Sequence, residues 1–185
     1  MPDIETERLR IRRLSLDDTD FVVALLNEPS FLRYIGDRNV RDRASACRYL
    51  EAGPFASYAR FGFGLMCVEL KPAAAQGTGG NATPAAVPIG ICGLLKRDTL
   101  EDVDVGFAFL PPYWGQGYAF EAAEAVLAQG REVFGLQRIV AITSLDNEAS
   151  IRLLERLGFR FERVMRLTPE GDEVKLFALE RADTR

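Results

Sequence analysis

Tyr113-Trp114-Gly115-Gln116-Gly117-Tyr118-Ala119 is the stretch on which the reading of this chain turns. Before it, from Asp102 to Phe109, the residues alternate. Val103, Val105, Phe107 and Phe109 share one face, and Asp102, Asp104, Gly106 and Ala108 share the other, which is the period of a strand. The first face is bulky core; the second is small and acidic, which suits a groove or solvent. After it, Phe120, Ala123, Leu127 and Phe134 recur as an apolar stripe, with Glu121, Glu124, Arg131 and Glu132 on the wet side, which predicts a helix over 120–134. Pro111-Pro112 ends the strand, and Gly135 is placed to cap the helix. The quoted stretch is therefore a strand-to-helix turn. A helix N-terminus exposes unpaired N–H groups and a partial positive charge. Glycines let its backbone approach a ligand, so a pyrophosphate can sit there without a lysine. The Gly-Lys-Ser/Thr ending of a nucleotide-hydrolysing loop is missing, and the glycine spacing is not the dinucleotide fingerprint. A glycine turn before a helix is also an ordinary structural device.

Downstream, Ile139 to Ile142 is short and wholly apolar, which predicts a central strand. A helix opens at Asp146-Asn147, buries Ile151, Leu154 and Leu157, and stops at Gly158. Strands around Phe161–Met165 and Val174–Leu179 follow, joined by a turn at Pro169-Glu170-Gly171. Upstream, Leu9 to Arg12 alternates as a half-buried strand. Ser15-Leu16-Asp17-Asp18 has the form of a capping box, with Phe21, Ala24 and Leu25 on one helical face and Pro29 barring continuation beyond Glu28. A second helical stretch runs from Val40 to Leu50, with Ala46, Cys47 and Leu50 buried and Gly53-Pro54 interrupting it. Leu65–Leu70 and Ile89–Leu95 read as strands. Between them, residues 72–88 hold nothing that can pack a core, which predicts a mobile loop. The glycosylation triplet Asn81-Ala82-Thr83 falls within it. One strand, two helices, three strands, helix, strand, helix and two strands make an α/β chain with a mixed sheet covered by helices.

The bulk numbers narrow the function. At 185 residues the chain fits a single domain spanning 1–185. Its formal charge of -4 gives no reason to expect nucleic acid. Arg8, Arg10, Arg12 and Arg13 read as solvated positions on a strand and its flanks. No stretch approaches the roughly 20 apolar residues of a membrane span. The segment from Met1 to Arg13 is too charged for a signal peptide, so the expected compartment is the cytoplasm. Cys47, Cys67 and Cys92 lie far apart without metal-ligand spacing and read as small buried thiols, so no metal is expected. Histidine is absent, which removes every Ser-His or Cys-His mechanism and leaves carboxylates, hydroxyls, water and backbone groups.

A second segment, Asn147-Glu148-Ala149-Ser150 leading to Gly158-Phe159, reads by itself as a capped amphipathic helix. Together with the glycine turn it resembles the GNAT acyltransferase superfamily in both of that family's diagnostic segments. Gly117 and Ala119 match the family's turn, with Trp114 where Arg or Gln is usual, and Asn147, Ser150 and Gly158-Phe159 match the second segment. The Trp-Gly-x-Gly-Tyr-Ala form looks most like the branch that acetylates ribosomal-protein N-termini. The resemblance implies the acyl-CoA N-acyltransferase fold, a mostly antiparallel twisted sheet flanked by helices, and acetyl-CoA as donor. It implies that backbone N–H groups of Gly115, Gln116, Gly117, Tyr118 and Ala119 hold the pyrophosphate. The pantetheine arm would pair near Phe109 and Leu110, with Asn147 and Ser150 at its far end.

Transfer to an amine needs a base, a donor for the oxyanion and a proton for the thiolate. Asp104 is the candidate base, directly or through water; the other reading is a solvent-facing carboxylate. Many family members carry a tyrosine seven residues after the Asn, but here that position is Leu154. Ser150, water, Tyr113 or Tyr118 then remains as proton donor. Phe31, Arg33 and Tyr34 are the candidate acceptor contacts, and a homodimer is open as an assembly state. The function these point to is N-acetyl transfer to a protein N-terminus or a small-molecule amine, the alternative being a non-catalytic acyl-CoA sensor.

Overall fold

The computed structural model describes residues 1–72 and 86–181. Eight strands form one sheet in the order β1-β2-β3-β4-β5-β6-β8-β7. They are β1 (Ile4–Glu5), β2 (Leu9–Arg13), β3 (Leu65–Leu70), β4 (Val87–Leu95), β5 (Val103–Phe109), β6 (Arg138–Ser144), β7 (Arg160–Arg166) and β8 (Glu173–Glu180). Every neighbouring pair is antiparallel except β5–β6. The long helix α5 (Tyr118–Phe134) makes the crossover that a parallel pair requires. The mixed, mostly antiparallel sheet flanked by helices is therefore as the sequence implies. β1 is an addition that a two-residue strand does not announce. Among the described residues no helix is long and apolar enough to cross a membrane, and no group of three or more His, Cys, Asp or Glu side chains is placed to hold a metal.

Each face of the sheet has its own core. Leu9, Met66, Ile89, Leu94, Val105 and Phe109 pack with Ala122, Val126 and Leu127 of α5. Cys67, Ile91 and Ala108 face the other way, toward α1 (Thr19–Leu26), α2 (Pro29–Tyr34) and α3 (Arg43–Leu50). Strand alternation sorts the residues: Cys67 pairs with Ile91 and Ile91 with Ala108, one row on one face. Gly93 stands opposite Gly106 on the same face, where a Cβ at Gly93 would lie 2.1 Å from the Gly64 carbonyl oxygen.

Several expected boundaries shift for local reasons. The Ser15 capping box is present, with Asp18 reciprocating, but it closes a 3-10 turn (Leu16–Asp18) that changes the phase of α1. The buried face of α1 is consequently Thr19, Val22, Leu25 and Leu26 rather than Phe21, Ala24 and Leu25. Pro29 does bar α1, and then serves as the first residue of α2, where its missing N–H costs nothing. Gly53-Pro54 does not interrupt the helical path. A π turn (Glu51–Phe55) carries it from α3 into α4 (Ala56–Phe61), the wider coil making room for the proline ring. The expected loop 72–88 falls mainly on residues 73–85, outside the described residues, as does the glycosylation triplet. Its last positions, Val87 and Pro88, belong to β4, which starts two residues earlier than expected.

Of the four arginines near the N-terminus, Arg10 and Arg13 are exposed as expected, whereas Arg8 and Arg12 are half-buried in ion pairs. Arg12 hydrogen-bonds both oxygens of the buried Asp18, each at 2.8 Å, and Glu69 Oε1 at 2.8 Å. Arg10 pairs with Asp3, Arg8 with Glu121, and Arg13 lies over the Tyr58 ring. Cys67 and Cys92 are buried free thiols, as expected, and burial pushes both pKa values up to about 12.

Candidate active site

The parallel pair β5–β6 is registered at two positions only, Val103 with Ile139 and Asp104 with Val140. Beyond them the strands part. A cleft of about 1370 Å³ opens there, walled by helices α2 to α4 on one side and by the N-terminal ends of α5 and α6 (Glu148–Arg156) on the other. The chemistry of its rim follows from backbone alternation. The Leu110 N–H donates to Ile89, so the residues alternate to it, Val105, Phe107 and Phe109, turn their N–H and C=O groups toward the side β6 has left. The expected pairing edge is thus centred on Phe107 and Phe109. The Leu110 N–H, by contrast, is given to Ile89, and its carbonyl accepts from Tyr113. The Trp114 indole N–H reaches back to the Phe109 carbonyl at 2.7 Å, tying the turn to the strand end.

Gly115 and Gly117 both have positive φ, 72° and 83°, which is why glycine occupies these positions. Gly117 is the N-cap of α5, and the first bond within the helix runs from the Glu121 N–H to the Gly117 carbonyl. The N–H groups of Tyr118, Ala119 and Phe120 are thereby left without helical partners. Phe120 joins the residues named from sequence. Two cations flank this helix end, and the sequence reading missed both. Arg8 donates to Glu121 at 2.7 Å and to the Gln116 carbonyl at 2.9 Å, and lies 4.5 Å above the Tyr118 ring. Arg156 lies 4.2 Å over the Phe120 ring. Neither carries a local motif, since Arg8 is 108 residues from Gln116. Free N–H groups, flanking guanidiniums and a hydrogen-bonding edge are the donor set that a pyrophosphate and an amide-bearing arm need, so these residues fit acetyl-CoA.

Asn147 caps α6, its Oδ1 accepting from the Ser150 N–H at 3.2 Å, which leaves its amide nitrogen and the Ser150 hydroxyl on the cleft. Leu154 is 1% exposed and packs in the core, so no hydroxyl arises where the family tyrosine would stand. Tyr113 and Tyr118 both line the cleft, Tyr113 half-buried and Tyr118 buried beneath Arg8.

Asp104 is not a solvent-facing carboxylate. It is 1% exposed at the floor of the cleft, and its Oδ2 accepts from Arg97 Nε at 2.8 Å. Its Oδ1 has no hydrogen-bond partner among the described residues. Burial raises its pKa, against the opposing charge and hydrogen bond of Arg97.

The expected acceptor residues separate. Tyr34 lines the cleft, and its carbonyl accepts from the Ser144 hydroxyl at 2.9 Å. Phe31 lines it too but is buried against the α1–α3 core, so its ring is mostly spent on packing. Arg33 does not line it: it bridges α2 to the β6–α6 loop through Asp146 at 2.8 Å and stacks on Tyr34. Arg38, Tyr49 and Arg97 do line it, and were not singled out from sequence because only tertiary packing assembles them.

Known proteins agree with this architecture. Residues 8–160 match the family described as acetyltransferase (GNAT) domain. The uncharacterized N-acetyltransferase YoaA of Bacillus subtilis is 28% identical over 166 residues, covering 89% of this chain and 86% of that protein. An acetyltransferase crystal structure from Agrobacterium tumefaciens superposes with a TM-score of 0.75 at 24% identity, over 98% of this chain and 95% of that one. RimL, the ribosomal L7/L12 alpha-N-protein acetyltransferase, solved in complex with coenzyme A, shares the fold with a TM-score of 0.68 at 14% identity, over 96% and 97%. With the parted strands, the glycine-capped helix and the family match in agreement, this chain belongs to the GNAT acetyltransferase family.

Proposed function

We propose that the chain transfers the acetyl group of acetyl-CoA to a primary amine by direct attack. The carrying observation is the parting of β5 from β6 beside the glycine-capped N-terminus of α5. It puts an unpaired strand edge and a ring of free N–H groups on one cleft. The N–H groups from Gly115 to Phe120, with Arg8 and Arg156 beside them, hold the pyrophosphate. Phe107 and Phe109 pair with the arm, and Asn147 orients its far end. Direct attack suits the residues present, because no cysteine lines the cleft and histidine is absent. The amine nitrogen bonds to the thioester carbon while the carbonyl electrons move to oxygen, and the tetrahedral oxyanion then re-forms the carbonyl as the carbon–sulfur bond breaks. Asp104 receives the amine proton through one water at its unpartnered Oδ1, a route its burial imposes. Ser150 or Tyr113 supplies the thiolate proton. An unpaired N–H of the β5 edge steadies the oxyanion.

The burial of Leu154 favours a second reading, an acyl-CoA-binding sensor without turnover. Calorimetry for CoA combined with thiol release across an amine panel separates the two. Binding with acetylated product supports transfer; binding with no thiol release from any amine supports the sensor.

A further inference from the structure

The wall of the cleft facing the α5 turn has a charge pattern that acetyl-CoA does not use. It carries Arg38, Tyr49, Lys96 and Arg97, with Asp104 below them. The Lys96 ammonium is committed to the Leu100 and Glu101 carbonyls, each at 2.6 Å. Arg97 directs Nε at Asp104, and its two Nη groups have no hydrogen-bond partner among the described residues. Arg38 has no ion-pair or hydrogen-bond partner among the described residues, although it follows a helix and lines the cleft. The Tyr49 hydroxyl has none either, on a half-buried ring. Arg38 and Arg97 line the same cleft as that hydroxyl. Three donor groups with no acceptor among the described residues therefore line one cleft. Asp104 is already paired with Arg97, and Glu28 is the other carboxylate on this wall among the described residues, against Arg38 and Arg60.

A fork of guanidinium N–H groups with a phenol beside it recognises a carboxylate. A second ammonium would be repelled there. The bond from Arg97 to Asp104 also fixes the distance between anion and reacting nitrogen: a carboxylate on the Arg97 Nη groups brings an amine on the adjacent carbon toward Asp104. We infer that the acceptor is an amine with a carboxylate close to it, gripped by Arg38, Arg97 and the Tyr49 hydroxyl while its nitrogen faces Asp104. The inference rests on the acetyl-transfer reading. A free α-amino acid and a peptide whose first residue is acidic share this chemistry.

The test uses thiol release from acetyl-CoA with matched acceptors: α-amino acids, their α-amides, and dipeptides beginning with aspartate or with alanine. Acceptors that do not turn over are titrated into the CoA-loaded protein by calorimetry. The expected result is at least a roughly tenfold preference, in kcat/KM or in Kd, for the carboxylate-bearing member of each pair. Preference for amino acid over amide identifies the α-carboxylate as the recognised group, and preference confined to the aspartyl dipeptide identifies the side chain. Arg38→Gln, at an exposed position, and Arg97→Lys, which keeps a cation beside Asp104, should each raise the acceptor KM and shrink the preference while the KM for acetyl-CoA stays put. Equal or better use of amides or diamines overturns the inference, as does a preference that survives both substitutions. Failure of CoA to bind at all removes the acetyl-transfer reading itself, whereas CoA binding with indifferent acceptor choice removes only the carboxylate subsite.

Discussion

Asp104 and Gly117 show how differently single residues are placed at this site. Asp104 is an acid in a nearly dry position, with one oxygen held by Arg97 and the other without a partner among the described residues. Replacing it with Asn keeps the size and the Arg97 contact but removes proton-accepting power. Turnover should fall on the order of a hundredfold, with acetyl-CoA affinity little changed. Because burial raises the folded pKa, the carboxylate becomes a base only as pH climbs above the ordinary carboxylate range. The acid limb of the wild-type rate profile should therefore sit higher than an exposed Asp allows, and should vanish in the Asn variant. A wild-type profile flat through that range would remove Asp104 from proton transfer. At Gly117 the constraint is steric: φ is 83°, and an added Cβ would lie 3.3 Å from Arg8 Nη2. Gly117→Val should abolish CoA binding by calorimetry while the far-ultraviolet spectrum persists, since a branched side chain strains the turn and covers the N–H groups. Unaltered CoA affinity there would reduce the turn to architecture.

At the scale of elements, α6 is held at its start by one side chain. Asn147 accepts from the Ser150 N–H, and the adjacent Asp146 is tied to Arg33 of α2 across the mouth of the cleft. Asn147→Ala should cost about 1 kcal/mol of stability, the usual loss for an N-cap. Because the same residue faces the cleft, the KM for acetyl-CoA should also rise. A destabilised variant with unchanged KM would show that Asn147 only caps. The long helix α5 contributes in another way. Its Ala122, Ala123 and Gly130 let it lie close on β4 and β5, and that packing aims its N-terminus at the gap between β5 and β6.

For the whole molecule, a ligand that binds only the folded state stabilises it by mass action. At a hundredfold excess over Kd, CoA or acetyl-CoA should add roughly 2.7 kcal/mol, visible as a raised Tm. ATP and NAD should leave the Tm where it is, and a melting curve that CoA does not move would count against the cofactor assignment. Acid should act through the N-terminal network. Burial alone would raise the pKa of Asp18, but its bonds from Arg12 and Ser15 outweigh that and hold it below the ordinary value. A depressed folded pKa means stability that is present above the unfolded pKa and lost as pH falls through the folded one. Thermal stability should therefore drop below about pH 4, and Asp18→Asn should flatten part of that drop.

Much of the fold was legible in the sequence because it is written in short periods: the alternation of Val103 to Phe109, the stripe after Tyr118, the cap at Ser15 and the glycines of the turn. Local sterics and hydrogen bonding determine these, and a few neighbouring residues suffice to express them. The family segments at Gly117–Ala119 and Asn147–Phe159 were legible for the same reason. What only the tertiary structure decided is whatever depends on residues distant along the chain. That includes the burial of Asp104 under Arg97, the Arg8 contact with the α5 turn, the diversion of Leu110 to Ile89, and the placing of Arg38, Tyr49 and Arg97 on one cleft. An Asp on an alternating strand faces either solvent or a cleft with the same local pattern. Its environment is set by which strands part and which helices cover them, and no sequence window contains that information.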